Sequence, residues 1–460
     1  MSAIPVIAIF DVGKTNKKLF LFDEDYHIVY EKTARFIETV DEDGDPCENL
    51  ESLELSVFES LREVFKLKEF EIKAVNFSTY GASFVHLDDN LKPIAPLYSY
   101  LKEFPAKLKE DFYAEYGGEV KLALETSSPV LGNLNSGMQL YRIKHQKPEL
   151  YKRIKYSLHL PQYLSFLLTG KTCTDITSIG CHTGLWDFEK NDYHDWVYKE
   201  GLNEKFAPIL SASSILPGKL DDHEFITGVG LHDSSAALIP YLINFNDPFV
   251  LISTGTWCIS LNPFNATPLT GEDLNNDCLC YMQYKGSPVK ASRLFAGNEH
   301  EDQVKKIAAH FDVATPVFKN IEYDANVINK LTHDSKGASK KVSRHQSAFV
   351  ARDLNSFHDH IEAYHQLMLD IMEQQCQSTQ LILNAQQVRR IFVDGGFSKN
   401  SIYMNLLAKA FPQLEIFAAS MAQATAVGTA IAIHDSWNTK ALSTNLVELK
   451  HYSTPHPVSL

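Results

Sequence analysis

The sequence has 460 residues, 44% of them hydrophobic and 22% charged, with a formal net charge of −14. That size predicts two or three domains with ample core. The acidic balance argues against a nucleic-acid partner, which would call for a basic footprint, and no run approaches the roughly 18 uncharged apolar residues of a membrane span.

The first apolar run, VIAIF, has no basic segment before it and stops at Asp11, too short for a signal peptide, so a cytoplasmic protein is expected. VIAIF reads as a buried strand, KLFLFD as an alternating one, and HIVYEK as a third after a turn at DEDY. The acidic loop DEDGDP (41–46) follows. NLESLELSVFESLREVFK then spaces its apolar residues for a helix, and IKAVNFSTYG reads as another buried strand, continued by FVHLDD after a small-residue turn. Alternation of this kind predicts an α/β layered domain.

Residues 100–200 read as more helical, with Gly170 placed as a helix C-cap after LHLPQYLSFLLT. Gly170-Lys171-Thr172 is not a Walker A loop, because position 165 is serine where that loop needs glycine. At Asp247 to Pro263, strand FVLIS, turn Thr-Gly-Thr and strand WCISL repeat the opening arrangement. Two domains of related fold are therefore expected, 1–243 and 244–460, joined by a short hinge at Pro240 to Asp247. After VRRIFVDGG a helix is expected to start near Ser398, followed by strand LEIFAA and the small-residue helix AQATAVGTAIAIH. The tail from Asn438 shows no clear pattern. Scattered cysteines without a CxxC pair argue against a disulfide framework or zinc ribbon, and Cys278 and Cys280 fit one face of a strand. His358, His360 and His365 do not form a metal-binding face, and SKKVSRH (339–345) reads as solvated surface.

Four stretches carry residue types with chemistry. Asp11 ends a buried strand and precedes Gly13, Lys14 and Thr15, with Lys18 close by; a carboxylate there can hold hydrated magnesium while turn amides meet phosphate oxygens. The same residues also fit an ordinary hairpin. Asp233, in GLHDSSAA, precedes a small-residue helix, where a carboxylate can take a proton from a hydroxyl or simply cap the helix. Thr254, Gly255 and Thr256 form a second turn suited to phosphate. Gly395 and Gly396, before a helix, let a flat group such as a nucleotide approach the backbone.

As an ordered set, FDVGKTNKK, STYGASFVHLD, LTGK, GLHDSSAA, STGTW, VDGGFSKN and AQATAVGTAIA resemble the FGGY carbohydrate kinases, of the actin, hexokinase and chaperone-ATPase superfamily. HDSSAA and STGTW look most like the rhamnulokinase and fuculokinase branch. The resemblance implies two ribonuclease-H-like α/β lobes with a catalytic cleft between them. The 1–243 lobe would carry the sugar site and first phosphate loop, the 244–460 lobe the ATP site, with ATP and Mg2+ bound in the cleft. It implies Asp233 as general base, Asp11 and Asp233 at the metal, and Gly13, Lys14, Thr15, Lys18, Thr254, Gly255 and Thr256 around the phosphates. Gly395, Gly396 and Asn400 would lie near adenosine, and Thr79, Tyr80, Gly81, His232 and Asp233 at the sugar.

The implied acceptor is a ketose of L-rhamnulose or L-fuculose type. A kinase of another pentulose or polyol (xylulose, ribulose, glycerol) is the near alternative, and a nucleotide-driven binding ATPase the distant one. The partner is a small-molecule sugar, with no nucleic acid or membrane, and a homodimer is the assembly considered. Three positions depart from the family. Lys14 stands where a small residue is usual, Ser83 where the rhamnulokinase-like chains carry aspartate, and Leu101-Lys102 where they carry arginine.

Overall fold

The computed structural model describes residues 3–14, 16–35, 37–334, 346–383, 388–421, 423–443 and 445–453. Thr15 and the SKKVSRH segment lie outside the described residues. The described residues form two large sheets, each of seven strands. In the first, Ile4–Val12 pairs antiparallel with Asn16–Phe22 on one side and parallel with Phe70–Thr79 on the other. Ile28–Arg35 closes one edge; His223–Gly228, Ile215–Leu220 and the short Leu231–His232 complete the other. The second sheet repeats the plan: Phe249–Thr254 pairs antiparallel with Cys258–Asn262 and parallel with Arg390–Gly395.

The central strands are buried on both faces, which explains their continuous apolar runs. Helix Leu50–Val64, capped by the Asn49 side chain on Ser52 N–H, lays Leu53, Val57, Leu61 and Val64 on one face of the first sheet, against Val6, Ala8 and Phe77. Gly170 ends helix Leu160–Thr169 in the left-handed conformation, as its sequence position predicts.

The halves are interlocked. Helix Ala424–Ile431, near the end of the chain, packs into the first sheet, where Ala426, Val427 and Ala430 join Ile7, Ile9 and Ala74 in one apolar cluster. Helix Asp233–Asn244 packs its Leu238 and Tyr241 onto the second sheet, against Phe249, Leu251 and Phe392. The two helices touch at Gly428, where a Cβ would come within 1.9 Å of the Ala236 carbonyl oxygen. Pro240 has no N–H to offer that carbonyl four residues back, so the oxygen faces the neighbouring helix instead.

Several sequence expectations change here. Pro240 lies inside helix Asp233–Asn244, so the join between the sheets is confined to the residues just after it. Phe84–Leu87 is a strand as expected, and it pairs with Tyr156–His159 outside the seven-stranded sheet. The helix expected from Ser398 starts at Ser401, because Phe397–Lys399 forms a 3-10 turn and Asn400 caps the helix through Tyr403 N–H. The tail from Asn438 contains an edge strand, Glu448–Tyr452, paired with Glu415–Ser420. Cys278 and Cys280 share a strand and are both buried, and the cysteines are free.

Candidate functional site

The first-sheet hairpin and strand Phe70–Thr79 bring Asp11 opposite Lys18 on one side and Ser78 on the other. The Ser78 hydroxyl donates to Asp11 Oδ1 at 3.2 Å. Burial, reinforced by the Asp233 carboxylate, raises the Asp11 pKa to about 6 against the opposing pull of Ser78 and Lys18. Lys18 also sits 3.4 Å from Glu31. Gly13 closes the turn by donating its N–H to Asn16 O at 3.0 Å.

Asp233 is the first residue of its helix. Its Oδ1 accepts from Ser234 N–H at 2.6 Å, and burial raises its pKa to about 6. A carboxylate with that value is largely ionised at neutral pH yet basic enough to take a hydroxyl proton. His232 beside it is buried, stacked on Tyr281 at 5.5 Å, and held neutral with its pKa pushed down to about 3. Its Nε2 lies 3.1 Å from Asp233 Oδ1 and 3.0 Å from Cys181 Sγ. With the proton on Nε2, His232 donates to the carboxylate and fixes it; with the proton on Nδ1, Nε2 accepts from the thiol. Gly81 permits this contact, since a Cβ there would meet Cys181 Sγ at 2.8 Å and the His232 ring at 3.1 Å. Thr79 pairs in register with His232, and its hydroxyl donates to Tyr80 O at 2.8 Å. A relay runs inward from there: His232 N–H donates to Thr177 Oγ1, whose hydroxyl donates to the buried Asp175.

Lys14 turns away from Asp11: it ion-pairs with Glu48 and lies over the rings of Tyr80 and Tyr100. The expected sugar-contact positions 101 and 102 are otherwise engaged. Leu101 is exposed, and Lys102 Nζ is enclosed by Asp41, Asp43 and Asp45 of the acidic loop.

In the second lobe the two glycine-bearing turns clasp each other. Thr254 Oγ1 donates to Asp394 O and accepts from Phe397 N–H, while Gly396 N–H donates to Thr254 O at 2.9 Å. Gly395 has φ +90°, and a Cβ there would sit 2.0 Å from Thr254 O. Gly297 is equally required, because its Cβ would fall 1.8 Å from Gly255 O. Thr256 is exposed at the turn, and Trp257 packs on Phe295 at 4.5 Å and over the Arg293 guanidinium at 5.4 Å.

Beside this clasp opens a cleft of about 890 Å³ lined by Thr254, Gly255, Gly297, His300, Gly396 and Asn400, among others. Asn400 donates to the Tyr364 hydroxyl at 2.7 Å, which also lies 3.0 Å from His300 Nε2. The bare glycine walls and the volume fit a nucleotide. Asp11 and Asp233, half-buried carboxylates that pair with no lysine or arginine among the described residues, fit a divalent ion. Glu48, Tyr100, Cys181, His300 and Tyr364 carry no local motif and emerge only from the folded chain. Among the described residues no helix is long and apolar enough to cross a membrane.

The sequence profile of the FGGY family of carbohydrate kinases, N-terminal domain, matches residues 6–237, and that of the carbohydrate kinase FGGY C-terminal domain matches 246–441. A rhamnulokinase from Halalkalibacterium halodurans is 26% identical over 263 residues, 54% of each chain. Such matches span about half the length of the curated relatives. The fold is shared with a carbohydrate kinase from Novosphingobium aromaticivorans, with a TM-score of 0.80 at 21% identity covering 98% of this chain and 94% of that one. It is also shared with a xylulose kinase from Lactobacillus acidophilus, with a TM-score of 0.79 at 16% identity and the same coverage. The chain belongs to the FGGY family of carbohydrate kinases, with that family's two-lobed, actin- and hexokinase-like fold.

Proposed function

We propose that this FGGY-family chain is an ATP-dependent sugar kinase that transfers the γ-phosphoryl group of ATP to a hydroxyl of a ketose. The observation that carries the reading is Asp233: a carboxylate at a helix start, oriented by Ser234 N–H, flanked by neutral His232 and raised to about 6. It takes the proton of the attacking hydroxyl as the new O–P bond forms, and the bond to the ADP oxygen breaks. Lys18 and the backbone amides of the first turn hold the phosphate charge. Thr256 and the Gly255 turn approach it from the other lobe, with adenosine beside Gly395, Gly396 and Asn400. Magnesium, held by Asp11 and Asp233, would supply positive charge to the phosphate oxygens. Thr79, Tyr80, Gly81 and His232 line the acceptor side, and closing the 1–243 and 244–460 lobes on each other excludes water, which would otherwise compete as acceptor.

L-Rhamnulose and L-fuculose are the first acceptors, supported by HDSSAA, STGTW and the rhamnulokinase relatives. The enclosure of Lys102 by the acidic loop, at a position where the rhamnulokinase-like chains carry arginine, favours a second reading, a pentulose or polyol kinase. ADP release with Mg-ATP across ketoses, aldoses and polyols tests both. A sugar-dependent rate, lost in Asp233→Asn, is expected; a panel in which no sugar raises ADP release above background overturns the kinase reading.

A further inference from the structure

We infer that residues 293–298 are the seat of the second phosphate turn, and that Arg293 is a positioning residue for phosphoryl transfer, acting through Trp257. The inference rests on the sugar-kinase reading and adds residues that lie outside the turn and outside every motif of the sequence.

Strand Pro288–Leu294 runs antiparallel beside Cys258–Asn262, with Arg293 opposite Ile259 and Leu294 opposite Cys258, so its end arrives at the turn. There the Arg293 guanidinium lies 5.4 Å from the centre of the Trp257 indole, within cation–π range. Phe295 meets the same indole with ring centroids 4.5 Å apart. Helix Ala296–His310 then starts against the carbonyls of the turn. Asn298 N–H donates to Thr256 O at 3.1 Å. Gly297 has no room for a side chain, because a Cβ would fall 1.8 Å from Gly255 O and 3.0 Å from Thr256 O.

This docking decides which way the turn faces. In a trans peptide the C=O and the following N–H point in opposite directions, and among the described residues no peptide bond is cis. With Gly255 O and Thr256 O directed at the helix start, Thr256 N–H and Trp257 N–H point away from it. Neither N–H is spent on a hydrogen bond among the described residues. Two successive free amides of this kind suit an anion, and their aim is fixed only while the Trp257 side chain is held. The Arg293 guanidinium does the holding. Its Nη2 donates to Asp277 Oδ1 at 2.6 Å, while its Nε is buried without a hydrogen-bond partner. A buried donor left unpaired is costly, so the stacking on Trp257 is a contact kept at the expense of hydrogen bonding. Lysine could replace the ion pair with Asp277 but not the flat stacking on the indole.

The experiment compares the unaltered chain with Arg293→Lys and with Phe295→Ala, which removes the half-exposed ring on the other side of the indole. Trp257 is singled out among the four tryptophans by subtracting the fluorescence of the matching Trp257→Phe proteins, and its quenching by acrylamide is measured. ADP release with Mg-ATP and the best acceptor gives kcat; calorimetry gives the Kd of Mg-ADP and of the acceptor. Both variants are expected to raise Trp257 quenching and to lower kcat by about tenfold or more, with either Kd changed by less than about twofold. Arg293→Lys keeps the positive charge, which also reaches Cys181 and His182 of the first lobe, so a low kcat there assigns the effect to stacking. Unchanged quenching, an unchanged kcat, or a fall in kcat matched by equal losses in both affinities overturns the inference. Raised quenching in proteins that release no ADP with any acceptor would leave the seat standing and overturn the kinase reading instead.

Discussion

In the first lobe, hairpin Ile4–Val12/Asn16–Phe22 ends its leading strand on Asp11, with Ser78 of the parallel neighbour alongside. In the second lobe, hairpin Phe249–Thr254/Cys258–Asn262 ends its leading strand on Thr254, with Gly395 of the parallel neighbour alongside. The backbone plan is the same, and the chemistry is divided. The first lobe holds carboxylates (buried Asp175, half-buried Asp11 and Asp233) whose pKa values rise to about 6 or 7. The second closes its strand end with a clasp of hydroxyl and backbone groups, beside Asp394, whose carboxylate the Tyr241 hydroxyl holds, and leaves room for a flat ligand. A repeated fold thus repeats the location of a site, while the residue at the strand end decides whether it handles charge or shape.

The sharpest way to break this division is Asp11→Asn. Turnover is expected to fall by about 10²–10³ with sugar binding nearly unchanged, read by steady-state kinetics and calorimetry. Gly395→Ala attacks the other side: φ +90° and the 2.0 Å approach to Thr254 O predict a loss of about 3 kcal/mol, seen as a lowered denaturation midpoint and weaker nucleotide binding.

Asp175→Asn should instead stabilise, by about 2 kcal/mol at pH 8. The sign follows from burial, which raises the folded Asp175 pKa to about 7, above the ordinary 3.8. The folded chain therefore holds that proton more tightly, and stability declines as pH climbs from about 4 to about 7. The variant's advantage should vanish near pH 4, measured by urea unfolding at both values. Thr254→Val is the smallest expected change, about 1 kcal/mol in unfolding free energy, because it removes the hydroxyl bonds of the clasp and keeps the shape.

Much of this division is legible in the residues themselves. Buried strands announce themselves as VIAIF and FVLIS, and the glycines and hydroxyls between strands mark both turns. The edge strand ELKHY does not, because an edge strand with exposed faces needs no apolar run. Pro240 reads as a breaker, yet it sits in a helix whose freed carbonyl meets Gly428, a contact between positions far apart in the chain. Glu48 lies in PCEN, which has no catalytic pattern; its only sequence clue is the uncommon Lys14 that it pairs with. Tyr364 and His300 belong to different helices and become a site only through their shared hydrogen bond.

The crossing of the two central helices bears on how the chain is made. One apolar face of the first sheet, including Ala74, is covered by Ala426, Val427 and Ala430, which leave the ribosome some 350 residues later. At roughly 5–20 residues per second that is an interval of about 20–70 s. For that time the nascent first half presents a face only partly covered by its own Ala212, Ala236 and Ile239, so the later half serves as its delayed lid, and a translation product stopped short of residue 424 would be a natural client for chaperones and proteases.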